Sequence, residues 1–349
     1  MQVRSGRSAQ ADVVVVGGGP LAAAVVARLA QPTDTGVRRS VRALPDLPAD
    51  LPHGALRGVG AVVLVADDLD VSVAQPSADE RRAACVQTAQ RTVAAARAAG
   101  VRHVVAVTSA MVHGAEPGRP VIRDSDKAPT GPPDGHVGDL VAVEAVLARA
   151  ARRRGSASPS IMVLRPAAVV GPGVDTLVTR HFAAPRLLAV RGVERPWQLV
   201  HVDDVASAVE LALRLRWSGS ATVAAGPVLS AADVERLSGM RRIELAAVTA
   251  FGTAERLHRV GVLPVPPSEL AYAVYPWTVD PERLRAAGWV AEHDAEDCLR
   301  VLLEGVRGRV ALAGRQVEGR DVALGAASAA VALLGTAAVW RQARLRRYG

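Results

Sequence analysis

Aromatic residues are scarce in this chain, at 3% of its 349 residues. Proteins that bind nucleic acid stack bases on aromatic side chains and present a basic stripe. Here the net charge of +8 is concentrated at one end, since residues 300–349 hold nine arginines against three acidic residues. We therefore expect no nucleic acid as a partner.

Cysteine is scarce too, and Cys85 and Cys298 are too far apart to indicate a disulfide framework or a metal site. The first residues, MQVRSGRSAQAD, lack the apolar run of a secretory signal. Hydrophobic residues make up 50% of the chain, which excludes wholesale disorder. These features predict a globular body in a reducing compartment, the cytoplasm.

Apolar runs alternate with helical stretches along the first half of the chain. The predicted strands are 12–16, 37–44, 61–66, 103–108 and 161–164, and the predicted helices are 21–30, 78–99 and 139–154. Runs that are apolar on both faces and separated by helices predict an α/β fold with a doubly wound parallel sheet.

Prolines break this alternation after Arg165. We therefore expect three parts: a Rossmann-like dinucleotide-binding domain (1–165), a smaller substrate lobe interleaved with the sheet (166–304), and a basic linker, apolar helix and Arg-rich tail (305–349).

A glycine corner follows the first predicted strand. Gly17, Gly19 and Ala22 match the G-x-G-x-x-G/A form, in which a tight turn and a helix N-terminus receive the pyrophosphate of a dinucleotide. The same corner could serve only strand–helix packing, or it could bind a flavin, which would require an acidic residue such as Asp46 after the second strand.

Six further landmarks occur in a consistent order. They are Asp50-Leu51, GVGAVVLVA (58–66), AARAAGVRHVVAVTSAMVHG (95–114), LRPAAVVGPG (164–173), LVHVDDVASAV (199–209) and YPWTVDPERLRAAGW (275–289). With them the sequence resembles the extended short-chain dehydrogenase/reductase family, of the NAD-dependent epimerase/dehydratase type, over roughly residues 11–304.

The resemblance implies a set of site residues. It places Ser109 at the catalytic serine/threonine that hydrogen-bonds the substrate oxygen. It implies cofactor contacts for Gly17, Asp50, Leu51, Ala66 and Pro166. The other predicted cofactor contacts are Gly19 and Ala22 of the glycine corner, Asp46 and Thr108. The cofactor would be NAD or NADP, because Asp46 favours a free ribose hydroxyl whereas Arg38, Arg39 and Arg42 favour a phosphate. Relatives often dimerise through a two-helix face, here 78–99 and 139–154.

Four departures from the family remove different parts of its machinery. Pro20 replaces a glycine of the corner and lacks an N–H donor. His136 and Leu140 stand where the resemblance places the catalytic tyrosine and lysine, and Cys85 stands where relatives often carry asparagine. His136 could act as a general base, because its ordinary pKa suits that role. We favour the simpler interpretation of a loop residue before a helix capped by Asp139.

Three residues near the end of one apolar run could also bind a metal ion. His201, Asp203 and Asp204 are residue types that bind metals, but the resemblance makes HVDD a strand end and helix cap. The sequence therefore predicts no metal site.

Residues 322–340 form a run of nineteen uncharged residues, with Arg320-Asp321 before it and four arginines after it. Such a helix would be about 28 Å long, close to the hydrocarbon thickness of a bilayer. Its many alanines argue for the alternatives of a packed helix or a loose tail. We expect it to anchor the body to the inner face of the cell membrane.

Two functional hypotheses follow. The first is a degenerate member that binds NAD(P) or a nucleotide without Tyr/Lys hydride chemistry. The second is an active epimerase, dehydratase or reductase on a nucleotide sugar or lipid-like alcohol, with Ser109 and His136 as its catalytic residues. The sequence does not identify a substrate.

Overall fold

A computed structural model describes residues 12–32, 39–45, 56–68, 77–127, 134–153, 158–260, 263 and 265–313. The described strands are β1 (Asp12–Val16), β2 (Val41–Leu44), β3 (Val59–Val65), β4 (His103–Val107), β5 (Ile122–Arg123), β6 (Ser160–Pro166), β7 (Ala168–Val170), β8 (Leu187–Val190), β9 (Leu199–His201), β10 (Gly219–Val223), β11 (Arg242–Leu245) and β12 (Val279–Asp280). The described α-helices are α1 (Gly19–Ala30), α2 (Ala78–Ala98), α3 (Gly135–Arg152), α4 (Leu177–His181), α5 (Val202–Arg214), α6 (Ala231–Ser238), α7 (Ala247–Arg259), α8 (Ala271–Val274), α9 (Glu282–Ala286) and α10 (Ala295–Ala313). Two 3₁₀ helices cover Ala110–His113 and Pro267–Leu270.

Six strands form one parallel sheet in the order β10-β6-β4-β3-β1-β2. The chain leaves β1 in one direction to form β2 and returns to its other side with β3. Ligands of such sheets bind outside the carboxyl ends of the strands where the order reverses, here between β1 and β3. Three two-stranded sheets, β11-β8, β12-β5 and β7-β9, lie outside it.

Helices cover both faces of the central sheet, and β1 shows why its sequence is continuously apolar. Val13 and Val15 pack in one core cluster with α1 and α5, whereas Val14 and Val16 pack in another with α2 and α3. All four side chains are at most 4% exposed. Burial of each contributes about 1.5–3 kcal/mol, so the two-sided burial stabilises the strand strongly.

The predicted doubly wound α/β fold is confirmed, and most predicted elements lie within two residues of the observed ones. The predicted strand 37–44 is observed as Val41–Leu44, and residues 37–38 lie outside the described part. No helix among the described residues is long and apolar enough to cross a membrane. The predicted apolar helix 322–340 lies outside them.

The start of α3 was predicted wrongly. The helix begins at Gly135, with Asp134 as its N-cap, and not at Asp139. Asp139 is buried inside the helix, where it pairs with Arg81 and Arg82 of α2. Gly135 has a φ of +69°, which lets the chain turn into the helix at this point. His136 therefore lies in the first helical turn and is not a loop residue.

Candidate functional site

The glycine corner joins β1 to α1 at the carboxyl edge of the sheet. Gly17 and Gly19 have positive φ values, and a Cβ on them would collide with the backbone oxygens of Val65 and Asp68 respectively. Both glycines are thus required by the close approach of the chain after β3. This is the packing role that the sequence left open beside the pyrophosphate role.

The same corner forms the N-terminus of α1. Gly18 caps α1 without a side-chain hydrogen bond, and Gly19 is exposed to solvent. The first N–H groups of a helix attract anions, although Pro20 contributes no N–H here. Ala22 is buried in the core behind them. The corner therefore suits a phosphate group, with one donor fewer than a glycine at position 20 would give.

The other predicted residues described by the structure lie along the same edge. Ala66 follows β3 and donates its N–H to Val107 O at 3.0 Å. Thr108 and Ser109 follow β4, and Pro166 ends β6. Because β6, β4, β3 and β1 are neighbours, the fold brings these positions to one edge. Asp46, Asp50 and Leu51 lie outside the described residues.

His136 faces this edge through an ion pair. Its Nε2 is 3.0 Å from Oδ2 of Asp67, which directly follows Ala66. Burial alone would lower the pKa of His136, but the neighbouring Asp67 carboxylate, helped by Glu269 and Asp139, raises the pKa to about 9. His136 is therefore an imidazolium at neutral pH, able to donate a proton but not to accept one.

Leu140 lies one helical turn after His136 and is 1% exposed. The resemblance places a lysine there, whose ammonium group would bind the cofactor ribose. Leucine offers no donor and no charge, and its burial means that the side chain is part of the core. The side chain at this position therefore packs in the core and offers no group that could bind a cofactor.

Ser109 and Thr108 already have partners. Ser109 Oγ accepts the N–H of Met111 at 3.2 Å and so caps the 3₁₀ helix. Thr108 Oγ1 donates to Glu144 at 2.7 Å. Ser109 is 7% exposed, so its hydroxyl is mostly covered. The structure thus gives both hydroxyls a local structural role at the edge.

A buried charge network lies behind these hydroxyls, and sequence reasoning missed it. Arg165 binds both oxygens of Glu144, at 3.0 and 2.7 Å, and its Nη1 lies 3.3 Å from Nε2 of His113. Burial, and then the Arg165 charge, lowers the pKa of His113 to about 4. The network connects the end of β4 to α3 and β6, and its Arg165 and Glu144 charges are paired with each other. In the sequence, only the presence of charged residues within apolar stretches indicated it.

Arg195 is a second residue that sequence reasoning missed. It is 8% exposed, donates from Nη2 to Tyr272 O at 2.7 Å, and lies over the Trp197 ring at 3.2 Å. Its Nε and Nη1, like Nε2 of the neighbouring His181, have no partner among the described residues. Burial lowers the pKa of Arg195. A small cavity lined by Arg195, Trp197 and Arg242 adjoins it.

This arrangement suits an anion. Burying a hydrogen-bond donor without an acceptor costs folding free energy. Two nitrogens of the Arg195 guanidinium group are buried in this way among the described residues. Guanidinium groups bind carboxylates and phosphates through paired N–H donors. Arg195 can therefore bind a negatively charged group that enters the cavity.

Comparisons with known proteins agree with this architecture. Residues 53–223 match the sequence model of the NAD dependent epimerase/dehydratase family, so the glycine corner lies outside the matched range. An uncharacterized protein of Mycobacterium tuberculosis is 28% identical over 199 residues, which are 56% of this chain and 52% of that protein. The match thus spans about half the length of that relative.

Solved structures show the same fold. MoeE5 in complex with UDP-glucuronic acid and NAD has a TM-score of 0.60 at 23% identity, covering 85% of this chain and 99% of MoeE5. A short-chain dehydrogenase/reductase superfamily protein from Agrobacterium tumefaciens with bound NAD has a TM-score of 0.60 at 18% identity, covering 87% and 100%. UDP-glucose 4-epimerase of Thermus thermophilus in complex with NAD has a TM-score of 0.56 at 19% identity, covering 85% and 99%.

The landmarks, the parallel sheet and these matches have one explanation. Residues 53–223 match the NAD dependent epimerase/dehydratase family, and the chain has the fold of the solved short-chain dehydrogenase/reductase structures.

Proposed function

We propose that this chain binds a dinucleotide or nucleotide-type ligand at the carboxyl edge of its sheet but does not carry out Tyr/Lys hydride chemistry. One observation carries the proposal: His136 is held as an imidazolium by Asp67, while Leu140 is buried where a lysine is expected. The tyrosine–lysine pair exchanges a proton with the substrate oxygen and holds the ribose. At neutral pH the His136 imidazolium cannot accept a proton from the substrate oxygen, and Leu140 cannot hold the ribose.

The residues fit a nicotinamide dinucleotide at one end only. The uncapped N-terminus of α1 and the exposed Gly19 would hold the pyrophosphate. When bound, such a cofactor supplies a hydride acceptor or donor. At the other end Leu140 cannot hold the ribose, so we expect binding weaker than a complete site would give.

Arg195 supports an anionic ligand for the remainder of the site. We propose that residues 166–304 act as the substrate lobe and that the unpaired Arg195 donors bind a phosphate or carboxylate of the ligand. The solved neighbours include proteins bound to UDP-glucuronic acid or NAD, which makes UDP and its sugars suitable first probes.

The second candidate is an active enzyme, and the His136–Asp67 pair is the observation that favours it. An imidazolium beside a carboxylate can serve as a general acid toward a substrate oxygen near Ser109. Such an enzyme would act on a nucleotide sugar or lipid-like alcohol with NAD(P).

A turnover assay separates the two candidates. The full chain is incubated with NAD or NADP and with each of a panel of UDP-sugars. The absorbance of reduced nicotinamide and the amount of epimerised sugar are then measured. We expect no turnover above that of Ser109→Ala. Turnover that Ser109→Ala and His136→Ala both abolish would establish the active enzyme instead.

We also propose that residues 322–340 anchor the chain to a membrane. The support is the length of the uncharged run and the arginines that follow it. The full chain should sediment with membranes and be released by detergent but not by salt, and deletion of 317–349 should abolish sedimentation. A full-length chain that stays in the supernatant would contradict the anchor.

A further inference from the structure

Two histidines and two aspartates meet at the junction of β9 and α5. His201 ends β9 and caps α5, and Asp203 and Asp204 lie in the first turn of that helix. His293 approaches from the segment before α10, and its ring stacks on His201 with centroids 3.9 Å apart. The sequence-based interpretation of HVDD as strand end and helix cap is confirmed, but it did not include His293.

Three of these side chains place metal-ligating atoms close to one another. His201 Nδ1 is 3.3 Å from Asp203 Oδ2. One nitrogen of each histidine and one oxygen of Asp203 all lie within 4.8 Å of one another. Tetrahedral ligands at 2.0–2.1 Å from a zinc ion lie about 3.3–3.4 Å apart. The His201–Asp203 distance already has this value, and a ring nitrogen of His293 lies within 4.8 Å of both atoms.

Asp204 orients His293 from behind. It is fully buried and accepts the backbone N–H groups of Glu292 at 2.6 Å and His293 at 3.2 Å. Its Oδ2 also lies 3.1 Å from Nδ1 of His293, and because a carboxylate accepts, Nδ1 carries the proton. In the neutral ring the lone pair is then on Nε2. A carboxylate that fixes the tautomer of a histidine in this way is typical of metal sites.

Helix capping explains only part of the cluster. Asp203 N–H donates to His201 Nδ1 at 3.3 Å, which accounts for His201 as the cap, and a metal ion on Nδ1 would replace this hydrogen bond. Capping does not account for the stacked His293 ring or for the nearby Asp203 carboxylate. The side chain of Asp203 is 59% exposed. Two imidazoles and a carboxylate form the nitrogen and oxygen donor set that borderline divalent ions prefer.

We propose that His201, Asp203 and His293 bind a divalent transition-metal ion of the zinc class. The exposed Asp203 leaves the remaining coordination position open to water. The ion would clamp the β9–α5 junction to the segment before α10, whose sequence positions are far apart. Magnesium and calcium, which prefer oxygen ligands, should not compete.

The test is a calorimetric titration of the full, untagged chain with Zn²⁺ in a buffer free of chelators. We expect one saturable site, and the four-coordinate visible spectrum when Co²⁺ replaces Zn²⁺. His293→Gln and Asp203→Asn change partly or mostly exposed side chains, so both variants should fold. Each should weaken Zn²⁺ binding at least tenfold. His258→Gln, which removes an exposed histidine of α7, should leave it unchanged.

Thermal unfolding gives a second measurement. Saturating Zn²⁺ should raise the unfolding temperature of the wild type, EDTA should reverse the rise, and His293→Gln should lack it. The absence of one-site binding by the wild type would overturn the proposal. Binding that persists unchanged in both His293→Gln and Asp203→Asn would overturn it as well.

Discussion

At the residue scale, the charge of His136 is set by its neighbours and not by its type. The Asp67 carboxylate at 3.0 Å keeps the ring protonated through the range in which a free histidine titrates. The pair spans from the end of β3 to the first turn of α3. It therefore both fixes the edge of the sheet and removes a general base from it.

The ion pair predicts how stability depends on pH. The pKa of His136 is about 9 in the folded chain and near 6.5 when unfolded, so the pair stabilises fully below pH 6.5. Its contribution falls as pH rises through 9. Because about a third of the His136 side chain is exposed, we expect only about 1 kcal/mol.

Urea unfolding of the wild type and His136→Gln between pH 6 and 10 measures this effect. The difference between them should vanish above about pH 9, and should be absent throughout in the Asp67→Asn background. A difference that stays constant across this pH range would contradict the assigned ion pair.

Arg195 predicts opposite effects on binding and stability. Arg195→Met removes a buried cation two of whose nitrogens have no partner among the described residues, so the free energy of unfolding should stay the same or rise. The same change should weaken binding of UDP at least tenfold by calorimetry, because the anion loses its donors. Arg186→Met, at an exposed arginine, should change neither quantity. UDP affinity that is unaffected by Arg195→Met would exclude Arg195 from the site.

At the element scale, the N-terminus of α3 is completed by a distant residue. Asp134 makes no side-chain capping bond, and Glu269 accepts the N–H of His136 at 2.6 Å. Burial raises the pKa of Glu269, whereas the positive charge of His136 acts to lower this pKa. A carboxylate at a helix N-terminus is favoured by the exposed N–H groups and the helix dipole.

Loss of this contact should destabilise the chain. We expect Glu269→Ala to lower the free energy of unfolding by about 1–2 kcal/mol, and Glu269→Gln, which keeps an acceptor oxygen, by less. Chemical denaturation measures both. Equal losses in the two variants would argue against a capping role.

The same helix shows what sequence reasoning can predict. Apolar runs such as β1 identify the strands because both of their faces are buried. The start of α3 was missed because its cap comes from position 269, and no local pattern encodes that contact. Arg195 and His293 were missed for the same reason: each acquires meaning only from residues that the fold brings near.

At the scale of the whole molecule, the segments after Arg165 are tied into the sheet. β10 is its edge strand, and Asp124 accepts the Thr222 N–H at 2.6 Å and the Arg283 N–H at 2.9 Å. Glu269 adds a contact to α3. The carboxyl edge is therefore held from both parts of the chain.

The most direct test of this account is calorimetric titration of the full chain with NAD, NADH, NADP and NADPH. A Cβ at Gly18 would meet nothing within 4 Å, so Gly18→Ala should fold normally but intrude on the phosphate site, and Gly252→Ala in α7 is the matched control. We predict micromolar binding of one cofactor, weakened roughly tenfold by Gly18→Ala and unchanged by Gly252→Ala. Failure of all four dinucleotides to bind at millimolar concentration would contradict the account.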